Sequence, residues 1–189
     1  MSTQTNCTKC QKEIHEGMTC EEHAQYLQFV EVIGNKERAE IFKKALKMLK
    51  ESTDPMMKDC VIQFNENILK NEQVLTKFVK AFEHVKFESV EDIIFGWHGG
   101  SDETVASISR IGFDPMRRKS QAYGRGEYFG SEAISSRNFK QNCSKFIFTS
   151  IIKGNHVSFH NENKFIVVDN PVDGSYSYCL PLFVCTFKQ

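Results

Sequence analysis

The sequence predicts a mixed α+β fold: a largely antiparallel, split sheet with flanking helices, preceded by a small N-terminal metal-binding segment. Three observations carry this. Between Asn35 and Arg110 apolar residues recur at helical spacing behind polar capping residues. From Lys145 onward they come instead in short runs separated by turn residues, the pattern of strands. Three cysteines and a histidine also crowd the first twenty residues, away from any apolar run.

Composition narrows the function classes. The 24 Lys and Arg balance the 24 Asp and Glu and are scattered, so no basic stripe for nucleic acid is present. Arg117-Arg118-Lys119 reads as a solvated loop patch. No apolar run approaches the roughly 18–20 residues that span a bilayer, so no membrane partner is expected. The polar start of the chain has no signal-peptide core, which implies a cytoplasmic or nuclear setting. The seven cysteines are then expected as thiols or metal ligands, not as a disulfide framework.

The first element has the spacing Cys7-x2-Cys10-x4-His15-x4-Cys20. Two close pairs of soft or borderline ligands on a short loop suit a tetrahedral Zn2+, with His23 as the substitute for His15. The segment is too short and polar to fold by burial alone, so metal has to supply the ordering energy. Zinc knuckles that bind single strands share this spacing, but Thr8 and Ile14 stand where a base-stacking aromatic is needed. The stretch Gly17 to Gln25 resembles the second half of the in-between-RING domain of RBR ubiquitin ligases. With only that half present, the resemblance implies a small docking module, with a ubiquitin-pathway protein as its partner.

From Asn35 to Glu51, Ile41, Phe42, Ala45, Leu46, Met48 and Leu49 mark an amphipathic helix. Ser52-Thr53-Asp54-Pro55 stops it, because the residue before a proline avoids the helical region. The expected boundary falls here: residues 1–54 form a zinc segment and helix, residues 55–189 the main domain. Asp59 to Phe64 reads as a strand. Asn71 caps a helix carrying Val74, Leu75, Phe78, Val79, Phe82 and Val85. Ile93-Ile94-Phe95 is a strand, Ser101 caps a helix from Asp102 to Arg110, and Gly112 closes it. A short helix follows over Glu132 to Asn138. Strands are expected at Lys145–Lys153, Phe165–Val168 and Leu182–Phe187, with Asn170-Pro171-Val172-Asp173-Gly174 as a turn between the last two. Cys60, Cys143, Cys179 and Cys185 fall in apolar or strand contexts and read as small buried residues, Cys143 being the most exposed. His84, His156 and His160 show no ligand pattern.

Two glycine-rich motifs carry the functional signal. Phe95-Gly96-Trp97-His98-Gly99-Gly100-Ser101 runs a strand into a glycine-flanked turn bearing a histidine, and Tyr123-Gly124-Arg125-Gly126-Glu127-Tyr128-Phe129-Gly130 delivers a tyrosine. Glycines at such turns let backbone approach a flat ligand that a Cβ would obstruct. Either motif alone is weak. Together, with Ser136 and Phe139 following Tyr128, they resemble the NAD+ pocket of the ADP-ribosyltransferases related to poly(ADP-ribose) polymerase. The resemblance covers the chain from about Asp59 onward and implies that family's α+β catalytic fold.

It also implies roles. His98 would bond the adenosine ribose, Gly99 would clamp the nicotinamide carboxamide, and Tyr128 and Phe139 would close on the nicotinamide ring. Ser136 would donate to the carboxamide, with Ser101 and Tyr123 completing the NAD+ contacts. The polymerases keep a glutamate just before a strand near the C-terminus; Lys164 occupies that place here. A charged lysine cannot accept a hydrogen bond, and it opposes the cation that develops on the ribose. Glu162, two residues earlier, would share a strand face with Lys164 and is the substitute; Glu127 is a further candidate.

The expected activity is therefore transfer of single ADP-ribose units from NAD+, as substrate, to a protein acceptor or, second to it, a nucleic-acid end. The alternative is an inactive module that binds a ligand or partner. Neither a P-loop nor a Rossmann fingerprint is present, so the dinucleotide is expected to be cut rather than to carry hydride.

Overall fold

Thr19 opens the first helix of this computed structural model. Its hydroxyl accepts from the Glu22 amide while the Glu22 carboxylate accepts from the Thr19 amide, a capping box. From it α1 runs Cys20–Ile33, until Gly34 turns left-handed at φ 66°. The structure describes residues 15, 17–118, 121–139 and 143–187, and within these not the side chains of 137–139. α1 is an addition to the elements expected from sequence. Asn35 then caps α2 (Lys36–Lys50), in agreement with the expected helix.

Asp54 accepts from the Met56 amide and Pro55 fixes its own φ, so Pro55–Asp59 winds into a 3-10 turn. The strand expected from Asp59 is therefore shortened to β1 (Val61–Phe64). There follow α3 (Asn67–Lys70), α4 (Glu72–Val85), β2 (Ile93–Gly99), α5 (Asp102–Ile111), β3 (Glu127–Gly130) and α6 (Ala133–Phe139). The chain ends in β4 (Lys145–Ile152), β5 (Val157–His160), β6 (Phe165–Val168) and β7 (Cys179–Thr186). α3, β3 and β5 are also additions.

The seven strands form a sheet in the order β1-β7-β4-β2-β3-β6-β5, every pair antiparallel. β2 pairs with β4 unbroken from Ile93 opposite Ile152 to Gly99 opposite Phe146. Its ladder to β3 has only Trp97 opposite Gly130. That thin junction is the split in the sheet. His98 and Gly99 belong to β2 itself, opposite Ile147 and Phe146, so the strand outruns the expected end at Phe95. β7 also starts earlier than expected: Phe148 faces Phe183 but Thr149 faces Pro181, a bulge that accommodates a proline with no amide hydrogen to give.

Aromatic packing fixes the layers. The Phe42 ring lies 5.2 Å from both Phe64 and Phe183, and Phe29 lies 6.2 Å from Phe64. α1 and α2 thus cover the β1–β7 end of the sheet, and residues on both sides of Pro55 share one apolar core. Asn65, buried at the exit of β1, donates to the carbonyls of Ser109 (2.9 Å) and Pro181 (2.8 Å), tying α5 and β7 to that corner. Among the described residues no helix is long and apolar enough to cross a membrane.

Candidate functional site

Beside the split, β2, β3 and α5 wall a cavity of about 700 Å3, within the usual range for small-molecule sites. Five of the sequence-predicted residues line it together: His98, Gly99, Tyr128, Ser136 and the further candidate Glu127. Each is held by the local architecture. His98 Nδ1 lies 2.9 Å from the Tyr128 carbonyl, so a side chain bridges β2 to β3 just where main-chain pairing gives out. A carbonyl only accepts, so Nδ1 is the donor in this bond. The ring is edged by Phe113 (5.3 Å) and Phe129 (5.7 Å).

Ser136 is buried, and its hydroxyl donates to the Trp97 carbonyl and accepts from the Gly130 amide at 3.1 Å. A second side chain thus spans the split. Gly99 is required by packing as well as by the cavity, since a Cβ there would come within 2.8 Å of the Phe146 ring. The Tyr128 hydroxyl donates to the Gly124 carbonyl (2.6 Å) and accepts from the Tyr123 amide (2.8 Å). Both bonds are to the glycine turn, so the motif fixes its own tyrosine. Gly126, at φ 157°, sits where a Cβ would lie 2.5 Å from Val167, which lets that turn press against β6.

The remaining predicted residues lie elsewhere. Ser101 is the N-cap of α5, its hydroxyl accepting from the Thr104 amide at 3.3 Å, and it is not part of the cavity wall. The Tyr123 ring is not part of the cavity wall; it stacks beside Tyr128 (6.3 Å) and on His160 (4.8 Å) and Phe165 (5.8 Å). The Phe139 side chain is outside the described residues. Lys164 and Glu162 occupy the four-residue turn from β5 to β6, exposed and away from the cavity lining. The expected shared strand face for these two is corrected: β6 begins only at Phe165, and Asn161, Glu162 and Asn163 have φ of 49°, 55° and 65°. Three left-handed residues in a row reverse the chain and cannot continue a strand.

Glu127 lines the cavity but is fully engaged. Arg118 meets it bidentately, Nε at 3.0 Å and Nη2 at 2.9 Å, and Asn170 Nδ2 adds a bond of 2.8 Å. Arg118 also donates to Asp169 (3.1 Å) and to the Asn170 carbonyl (2.8 Å). Arg118, expected in a solvated patch, therefore has its side chain buried, while its neighbour Arg117 remains exposed at the cavity rim. Burial would raise the Asp169 carboxyl, but hydrogen bonds and charge from Arg125 and Arg118 outweigh that and hold it below its ordinary value. Sequence reasoning missed this network. Glu103 and Asp114 are further cavity carboxylates.

Of the expected metal ligands, Cys7 and Cys10 lie outside the described residues, while His15 and Cys20 flank the start of α1. Among the described residues no three metal-ligating side chains converge.

No family model matches the chain, and no curated protein matches its sequence. Among solved structures it is similar to the PARP domain of Arabidopsis RADICAL-INDUCED CELL DEATH1, at 15% identity and a TM-score of 0.46, covering 77% of this chain and 97% of that one.

Proposed function

We propose that the chain binds NAD+ in the cavity beside the split and transfers single ADP-ribose units to a protein acceptor. One observation carries the reading: His98, Gly99, Tyr128 and Ser136, picked out by motif order, line the same cavity. The nicotinamide ring would lie against Tyr128 and the adenosine ribose would meet Nε2 of His98. The Ser136 hydroxyl and the Gly99 backbone are then the groups for the carboxamide. The N-glycosidic bond breaks with its electron pair leaving on neutral nicotinamide. Positive charge spreads over the ribose, and an acceptor nucleophile closes on the anomeric carbon and gives up its proton. Positioning in a walled cavity supplies much of such a barrier reduction.

A second reading, binding without cleavage, is favoured by a specific arrangement. Lys164 and Glu162 sit in an exposed turn, and Glu127 is pinned to Arg118, so none of the three offers a carboxylate to the ribose. Incubation with labelled NAD+ separates the readings. Transfer is expected to label the chain itself and His98→Ala or Tyr128→Ala to abolish the label, whereas Lys164→Glu, in an exposed turn away from the cavity lining, should leave it unchanged. Calorimetric binding of NAD+ with no label in any variant would select the second reading. Neither binding nor label would overturn both.

A further inference from the structure

We propose that Cys60 and Cys185 are a peroxide-reactive thiol pair whose oxidation to a disulfide staples the edge strand β1 to β7. The ladder brings them together. Ile62 faces Cys185 across it, and side chains two apart on a strand share a face. Cys60 therefore lies diagonal to Cys185, on the side that carries Phe64 and Phe183. Cys60 is half-buried, whereas Cys185 is fully enclosed. The Cys185 thiol donates to the Cys60 sulfur, as does the Thr186 amide, and together they outweigh burial and hold the Cys60 thiol below its ordinary value. The same bond to Cys60, with burial, pushes the Cys185 thiol well up. The pair is unequal: an accessible sulfur with thiolate character stands beside a sheltered one that keeps its proton.

A peroxide needs the first of these and a disulfide needs the second. The Cys60 thiolate attacks one peroxide oxygen; a sulfur–oxygen bond forms, the oxygen–oxygen bond breaks, and the departing hydroxide takes up a proton as water. Cys185 then attacks the sulfenic sulfur. The disulfide bond forms, the sulfur–oxygen bond breaks, and the thiol proton leaves with the hydroxyl as a second water. The two thiols give up two electrons and the peroxide accepts them. Diagonal neighbours in a regular ladder stand about 7–8 Å apart at Cα, just beyond the span of a disulfide. Cys60, however, precedes the first rung, Val61 opposite Thr186, and its amide instead closes the 3-10 turn by donating to the Met57 carbonyl at 3.2 Å. Closure needs a shift of that turn alone, and a bridge formed under such load is readily reduced again. β1 has no neighbour in the sheet but β7, so the bridge acts on the strand with the fewest ladder bonds to hold it. None of this depends on the NAD+ reading.

The test uses the full chain, reduced and then treated with hydrogen peroxide. Remaining thiols are alkylated, and the protein is digested without reductant and mapped by mass spectrometry. A peptide joining Cys60 to Cys185 is expected, and dithiothreitol should abolish it. In untreated protein Cys60 should be alkylated before Cys179 and Cys185. Cys185→Ala should leave Cys60 as a sulfenic acid that dimedone captures, whereas Cys60→Ala should leave Cys185 unmodified. Far-ultraviolet dichroism checks that both variants fold, and the wild-type map decides the matter if either does not. Cys60 and Cys185 recovered as free thiols from peroxide-treated wild type would overturn the proposal. So would a bridge from Cys60 to any other cysteine, or alkylation of Cys185 ahead of Cys60.

Discussion

Replacing Arg118 by alanine should destabilise the chain far more than a surface ion-pair deletion would. The side chains of Arg118 and Glu127 are each only 6% exposed, and two parallel bonds of 3.0 and 2.9 Å join them. Without the guanidinium, Glu127 keeps only the 2.8 Å bond from Asn170 as compensation for burial. Removing one partner of a buried pair costs about 3–5 kcal/mol. At about 2–4 °C per kcal/mol for a chain of this size, that is a fall of about 6–20 °C in melting temperature. Lys70–Glu66, an exposed pair at 2.9 Å, is the control, and Lys70→Ala should stay within about 1 kcal/mol of wild type. The double variant Arg118→Met, Glu127→Leu should recover most of the loss, because an apolar pair of similar volume needs no charge compensation. The Asn170 amide would then lose its Glu127 acceptor, and the Asn170 carbonyl and Asp169 their Arg118 donor, so recovery should be partial, short by about 1–3 kcal/mol. Urea unfolding followed by circular dichroism reads all four proteins. An Arg118→Ala variant as stable as Lys70→Ala would refute the reasoning, because the charge would then have found water or another cation.

Gly99→Ala should cost about 1–3 kcal/mol by overpacking, since the new methyl meets the Phe146 ring at 2.8 Å; an unchanged urea midpoint would show that the ring yields freely. Asp169→Asn tests the pH dependence. The folded-state value of this carboxyl is depressed, so its ionised form stabilises the fold at neutral pH, and that contribution is lost as pH falls through the folded value. The gap between wild type and variant should therefore close in acid, and a gap constant from neutral to strongly acidic conditions would count against the Arg125 and Arg118 contacts.

The helices that were legible in the sequence announce themselves with both a cap and a period. α2 has Asn35 and its apolar stripe, and α5 has Ser101 and Gly112. α1 carries equally good signals, Thr19-x-x-Glu22 at one end and Gly34 at the other, but its first turn overlaps the cysteine cluster, so one stretch serves two patterns. β3 hides among Gly124, Gly126 and Gly130, and β5 hides because an edge strand with one partner needs no apolar run. His98, Tyr128 and Ser136 could be grouped from sequence because a fixed order of residue types is a local signal. The Arg118 network could not. Its bonds join residues 9, 43, 51 and 52 positions apart, and nothing in a run of basic residues says which of them turns inward.

The place of the cavity follows from where the sheet fails to pair. Along the β2–β3 junction, Tyr128 O is met by His98 Nδ1, while Trp97 O and Gly130 N are both met by the Ser136 hydroxyl. The two side chains proposed to receive NAD+ are therefore also the ones that close the split. Their duties differ in a way that ligand binding must respect. His98 spends Nδ1 on the strand, so a ligand that meets the far side of its ring leaves that bond in place. Ser136 has one proton, already given to Trp97, and can donate to a carboxamide only by turning away from that carbonyl. A ligand that takes the serine proton thus loosens the junction it sits on, whereas one that uses the histidine leaves it intact. Loss of activity in His98→Ala consequently has two sources, a missing ligand contact and an unpaired Tyr128 carbonyl. Only amide exchange across β3, compared with and without NAD+, separates them.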